Sequence, residues 1–247
     1  MIGSLRDIAA SLTSRIELRL FKEYGAIFIT QATPPSTIIF ADESEVEGFQ
    51  AGLAILDGAF GEHRIELQAS AMETLASAAS ELAGTGGSIT ARAADAGRRS
   101  YEDTVGLWKR NVTRGMQHWS DLGRISRAQA NSILEMRPVD QVAEILDLED
   151  REQIYFGTFF DRSILYSVAA PGASQHLSLL AFDVKEYQDE SVESVLARHG
   201  WFRTVVNDLP HFTYIGRSED ELSGLGLKRV VRVYGDKEFR FWIPDLD

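Results

Sequence analysis

The chain has 247 residues, and 25 Lys+Arg against 37 Asp+Glu give it a net charge of −12. That acidic balance argues against binding a phosphate backbone, which needs a basic footprint, so no nucleic-acid partner is expected. There is no cysteine, which excludes disulfides and thiolate metal sites and leaves imidazole and carboxylate as the only strong metal ligands. Apolar residues at 44% and charged residues at 25% match an ordinary soluble globular chain rather than a disordered or fibrous one. No stretch approaches the roughly 18 apolar residues of a membrane span. The N-terminal Met1 to Asp7 lacks the apolar core of a signal peptide.

From Ser4 to Tyr24, Leu5, Ile8, Leu12, Ile16 and Leu20 recur at three- and four-residue steps, the pattern of an amphipathic helix ending at Gly25. Ala26 to Gln31 and Thr37 to Ala41 read as short strands around Pro34 and Pro35. A helix is expected from Glu66 to Ala83, stopped by the glycine cluster at 84–87, and a strand from Ser88 to Arg92. Ser100 is a good N-cap with Glu102 and Asp103 in the first turn, so the next helix should run to about Trp119. Ser126 to Glu135 and Val139 to Leu146 predict two more helices around Pro138.

Past Asp150 the texture turns to glycine, aromatics and apolar alternation, with strands expected at Leu177 to Glu186, Phe212 to Ile215, Lys228 to Val233 and Glu238 to Ile243, and a short helix from Ser191 to His199. There is no repeat of 20 to 50 residues. The expected fold class is therefore α+β, with helices packed on an antiparallel sheet. Residues 1–60 are expected to form a helix-and-strand extension packed on a core domain of residues 61–247, or to be continuous with it.

Two of the five histidines have carboxylate company in apolar surroundings: His176 with Asp183, and His211 with Asp208. Charge in such a setting is costly unless paired or bound to metal. A catalytic zinc takes three nitrogen or oxygen ligands and keeps a fourth position open; His176, Asp183 and His211 supply that set. Asp208, three residues before the last ligand, is placed to act as general base. The seven-residue separation of His176 and Asp183 is odd, which would point them to opposite faces of a regular strand, so a bend around Leu177 to Leu179 is expected, with Asp183 inside the strand that follows. His63, His118 and His199 lack such company and read as structural or solvent-facing.

Ser174 to Asp183 resembles the Ser-x-His-x-x-Gly-x-Ala-x-Asp motif of the VanX/VanY-type zinc D-alanyl-D-alanine peptidases, and Asp208 to His211 resembles their Glu-x-x-His motif. Upstream, Gly97 to Glu102 resembles the family's Gly-Tyr-Arg-Ser block. The resemblance spans about residues 66 to 216 and keeps the three blocks in order. It implies a Hedgehog/DD-peptidase fold, one zinc per chain, and a carboxypeptidase acting on peptidoglycan-type peptides in the periplasm or outside the cell. It further implies that Arg99 polarises the scissile carbonyl and that Ser174 binds substrate. Leu179 stands where the family has Gly, Asp208 where it has Glu, Arg98 where it has Tyr, and Thr104 where carboxypeptidase members often have Gln. A stem endopeptidase, a zinc-containing binding module without turnover, and a metal-free interaction domain are the alternative readings.

Overall fold

The computed structural model describes residues 4–246; the first three residues of the segment read for a leader lie outside them. In chain order the helices are α1 (Leu5–Ser11), α2 (Arg15–Tyr24), α3 (Glu43–Gln50), α4 (Ala69–Ala83), α5 (Tyr101–Asp121), α6 (Arg127–Leu134), α7 (Pro138–Glu152) and α8 (Glu190–Arg198). The strands are β1 (Ile55–Phe60), β2 (His63–Gln68), β3 (Ala181–Asp183), β4 (Trp201–Phe202), β5 (His211–Tyr214), β6 (Leu227–Tyr234) and β7 (Lys237–Pro244). Among the described residues all strand pairs are antiparallel and form three small sheets, β1–β2, β3–β5–β4 and β6–β7. The architecture is thus a mixture of helices and antiparallel sheet. No helix among the described residues is long and apolar enough to cross a membrane.

The chain divides into two compact units. One comprises residues 1–38, 47–99 and 175–247, and the other residues 39–46 and 100–174. The second unit is helical. Ser100 caps α5 through a capping box with Asp103, as the Ser-Glu-Asp pattern predicts. Inside, the indole of Trp108 donates to Gln141 Oε1 at 3.0 Å while Gln141 Nε2 donates to the Ile133 carbonyl at 2.8 Å, so one buried amide ties the three helices together.

The first unit carries the sheets. α4 and α8 pack on one another over a core that includes Leu67, Leu75, Phe182, Leu196, Trp201 and Phe212. β3, β4 and β5 are buried along their whole length. A second core gathers Leu5, Phe21, Ile29 and Trp242, from α1, α2, the following 3-10 turn and β7.

Several expectations are corrected. The helix expected over 4–24 is broken at 12–14, because Leu12 is extended and Ser14 caps a new helix by accepting from Glu17 N; a hydroxyl that competes for backbone donors overrides the periodic pattern. Residues 25–29 form a 3-10 helix and 37–41 no strand: the apolar run is buried as tight turns, and a short apolar run does not by itself select a strand. The strand expected at 88–92 is a single bridge between Ala91 and Val184. The expected helix from Glu66 starts later, since Glu66 to Gln68 belong to the hairpin β1–β2, which the sequence reading missed.

The loop from β4 to β5 is held by an arginine whose side chain is almost fully buried. Arg203 Nε donates to the Leu209 carbonyl at 2.7 Å and Nη2 to the Tyr187 carbonyl at 2.6 Å, while Nη1 pairs with Glu193. Its guanidinium lies 4.4 Å from the Phe212 ring centre and 5.2 Å from that of Phe239. Burial lowers its pKa, opposed by Glu193. Removing Arg203 would leave the Leu209 and Tyr187 carbonyls without this donor and Glu193 with Arg240 alone. Arg203→Ala is expected to lower unfolding free energy by about 3 kcal/mol in urea denaturation; a loss below about 1 kcal/mol, the size of an exposed pair, would contradict this role.

Candidate metal centre

His176 sits in a 3-10 turn, Gln175–Ser178, that delivers it just ahead of β3. The turn is closed by Leu179 N donating to the His176 carbonyl at 3.2 Å, and Leu179 itself has φ 55°. This is the bend that the odd spacing of His176 and Asp183 requires, made by a non-glycine residue in the left-handed region. Two glutamines hold it there. Gln50 Nε2 donates to the Leu177 carbonyl and Gln68 Nε2 to the Ser178 carbonyl, both at 2.8 Å, and Gln68 N donates to the Leu179 carbonyl at 3.0 Å. Every carbonyl of the bend is thereby satisfied, and the Leu179 side chain is fully buried.

Asp183 ends β3 and His211 begins β5, and the two are directly paired across the ladder, so their side chains leave the sheet on the same face. Asp183 Oδ1 lies 3.3 Å from His176 Nε2 and 3.2 Å from His211 Nδ1. One atom from each of the three residues falls within 4.8 Å of the others. The imidazoles meet edge-on at 72°, their centres 4.9 Å apart.

The outer nitrogen of each ring has a partner that can only accept. His176 Nδ1 lies 2.7 Å from the Gly97 carbonyl and His211 Nε2 lies 2.9 Å from Gln175 Oε1. In the neutral rings these nitrogens carry the hydrogens, and the lone pairs of His176 Nε2 and His211 Nδ1 face Asp183 Oδ1. His176 Nε2 is buried and makes no hydrogen bond. Three converging acceptors repel one another unless a cation stands among them. Burial pushes the His176 pKa down, which works against a proton as that cation. Asp183 is ionised, because the Arg99 guanidinium donates to its Oδ2 at 2.7 Å. Two imidazole nitrogens and one ionised carboxylate are the donor set of an open zinc site, and the residues fit that ion.

Arg99 joins this centre. Its Nη2 donates to Asp183 Oδ2 at 2.7 Å and its Nε to Asp95 Oδ2 at 3.1 Å. The guanidinium thus fixes the carboxylate from behind and leaves Oδ1 turned toward the histidines. Gly97 is packed too closely for a side chain: a Cβ there would come within 2.9 Å of the Glu66 carbonyl oxygen. Arg98, next along, pairs with Glu66 at 2.9 Å.

Asp208 lies exposed in the turn before β5, where its carbonyl accepts from His211 N at 3.2 Å. Among the described residues its carboxylate makes no hydrogen bond or ion pair with the cluster. Ser174 is buried at the end of the helical unit, and Thr104 is buried in the same unit, its hydroxyl donating to the Tyr101 carbonyl. Of the remaining histidines, His199 pairs with Glu81 at 2.8 Å and His118 stacks on Phe160. Sequence reasoning missed Gln175, Asp95 and the Gly97 carbonyl. Gln175 stands between two singled-out residues, but nothing in a single glutamine announces a partner 36 positions away.

Compared with known proteins, the chain is similar to a solved structure of a mutant vancomycin-resistance D,D-pentapeptidase VanY, from a VanB-type resistance cassette, in complex with Zn(II). The identity is 16% and the TM-score 0.37, over 67% of this chain and 82% of that one. No family model matches the chain, and no curated protein matches it.

The bend at Leu179 has a measurable consequence. A left-handed conformation costs an L-residue about 1–2 kcal/mol relative to glycine, while truncating a buried leucine costs about 2–5 kcal/mol. Leu179→Ala keeps the strain and opens a cavity, whereas Leu179→Gly opens a similar cavity and relieves the strain. Both variants should be less stable than the parent, with the glycine variant the more stable of the two by about 1 kcal/mol. Chemical denaturation of the three proteins checks this; the reverse order would mean that the residue does not hold a left-handed backbone in solution.

Proposed function

We propose that the chain is a zinc-dependent peptidase of the D-alanyl-D-alanine carboxypeptidase type, with His176, Asp183 and His211 holding one zinc. The carrying observation is the convergence of His176 Nε2, Asp183 Oδ1 and His211 Nδ1, with both outer ring nitrogens already bonded to acceptors. A zinc so held would supply a Lewis acid for the scissile carbonyl and lower the pKa of water towards neutrality. The rest of the chemistry falls to the chain. Asp208 is assigned as general base: its carboxylate accepts a proton from the water that attacks the peptide carbonyl carbon. It then gives that proton to the amine nitrogen as the carbon–nitrogen bond breaks. Arg99, a fixed cation beside the cluster, is assigned to the developing oxyanion, and Ser174 to a hydrogen bond with substrate.

The substrate class rests on the resemblance of 97–102, 174–183 and 208–211 to the VanX/VanY-type motifs. It supports action on peptidoglycan stem peptides at the cell wall. The same machinery in a more open cleft would serve a stem endopeptidase. A second reading, a zinc-containing binding module without turnover, is favoured by one observation: the exposed Asp208 carboxylate makes no hydrogen bond or ion pair with the cluster among the described residues.

Incubating zinc-loaded protein with a muropeptide pentapeptide and weighing the products tests these assignments together. Loss of the terminal D-alanine is expected, with kcat falling by about 10²–10⁴ in Asp208→Asn and zinc retained. Internal cleavage would make the protein an endopeptidase. No product from pentapeptide, tetrapeptide or dipeptide, with zinc in place, would make it a binder.

A further inference from the structure

Gln175 belongs to none of the ligand or catalytic assignments, yet it is buried against one of the ligands. Its side-chain amide is orientated by a group with only one role. Nε2 donates at 3.0 Å to the carbonyl of Tyr24, which can only accept, so Oε1 must face the other way. There it lies 2.9 Å from His211 Nε2 and 2.5 Å from Thr213 Oγ1. Thr213 Oγ1 lies 2.7 Å from Thr204 Oγ1 and, since it donates to Gln175, accepts from Thr204. Thr204, Thr213 and Gln175 are all buried, away from bulk solvent. Reversing the amide would set its oxygen against the Tyr24 carbonyl and two donor hydrogens against His211.

From this network we infer that Gln175 is a positioning residue that fixes His211 as its Nε2–H tautomer and so presents the Nδ1 lone pair to the metal. The inference rests on the zinc reading above. Without Gln175 the competing arrangement is at hand: Nδ1–H would donate to Asp183 Oδ1, 3.2 Å away, and that one shift would remove a ligand and occupy a second. The same short turn thus supplies one ligand, His176, and the residue that sets the other histidine. Outer partners of this kind typically change metal affinity by about 10- to 100-fold when removed.

The test uses the full chain labelled with ¹⁵N-histidine, read by long-range ¹H–¹⁵N NMR without metal at about pH 8.5, where neutral imidazole dominates. Zinc affinity is then measured by competition with a chromophoric chelator. His211 in the parent should be the Nε2–H tautomer. In Gln175→Met, which keeps length and apolar volume but lacks the carbonyl oxygen, the Nδ1–H tautomer should appear and zinc affinity should fall about 10- to 100-fold. A His211 already protonated on Nδ1 in the parent, or a Met variant with unchanged tautomer and affinity, would overturn the inference while leaving zinc binding intact. The parental reading needs no variant to fold. If the parent shows the expected tautomer but takes up no zinc, the metal reading fails and the inference falls with it, for a reason the tautomer data identify separately.

Discussion

The centre depends on what its histidines do with their far nitrogens. With the Gly97 carbonyl beside His176 Nδ1 and Gln175 Oε1 beside His211 Nε2, the near nitrogens of the neutral rings offer lone pairs to one another and to Asp183. Arg99 reaches only the far carboxylate oxygen, Oδ2, so the three facing acceptors leave a place for a further cation. The surrounding structure holds this arrangement in place. The β3–β5 ladder sets Asp183 opposite His211, the 3-10 turn brings His176 round, and Arg99 draws the second carboxylate oxygen away.

Holding it requires rigidity close by, and the chain obtains this from buried polar side chains with every bond made. Gln50 and Gln68 satisfy the carbonyls of the bend, Gln175 joins α2 to β5, and Arg203 fixes the loop that leads into His211. Fully satisfied networks of this kind specify a single arrangement, whereas a half-satisfied one costs more than an apolar core. The left-handed Leu179 is the visible sign of local strain at this site. Such a residue persists only where its surroundings over-determine it, and here three donors reach three successive carbonyls.

Much of the centre was legible in the sequence. Histidines with carboxylate neighbours in apolar runs, in a chain without cysteine, point to a nitrogen–oxygen metal site, and the odd spacing of His176 and Asp183 demands the bend that Leu179 makes. The long helices were legible too, since α5 has both its cap and its apolar period. What escaped were features set by partners distant in sequence. A run such as 25–29 is apolar enough for a strand, and only its packing decides for a tight helix. Ser14 breaks a helix that periodicity would continue, and Gly58 disguises the hairpin strand that carries it. Gln175 is silent until β5 is folded beside it.

The central claim is that this chain arranges two imidazoles and one carboxylate for a single metal ion. Zinc titration of the full chain, followed by X-ray absorption at the zinc edge of the loaded protein and of His176→Ala, tests it most directly. The account predicts saturation at one zinc per chain, a first shell of nitrogen and oxygen at about 2.0–2.2 Å with two imidazole signatures, and loss of one signature with weakened binding in the variant. Absence of saturable binding, or a zinc whose shell is unchanged by His176→Ala, would contradict it.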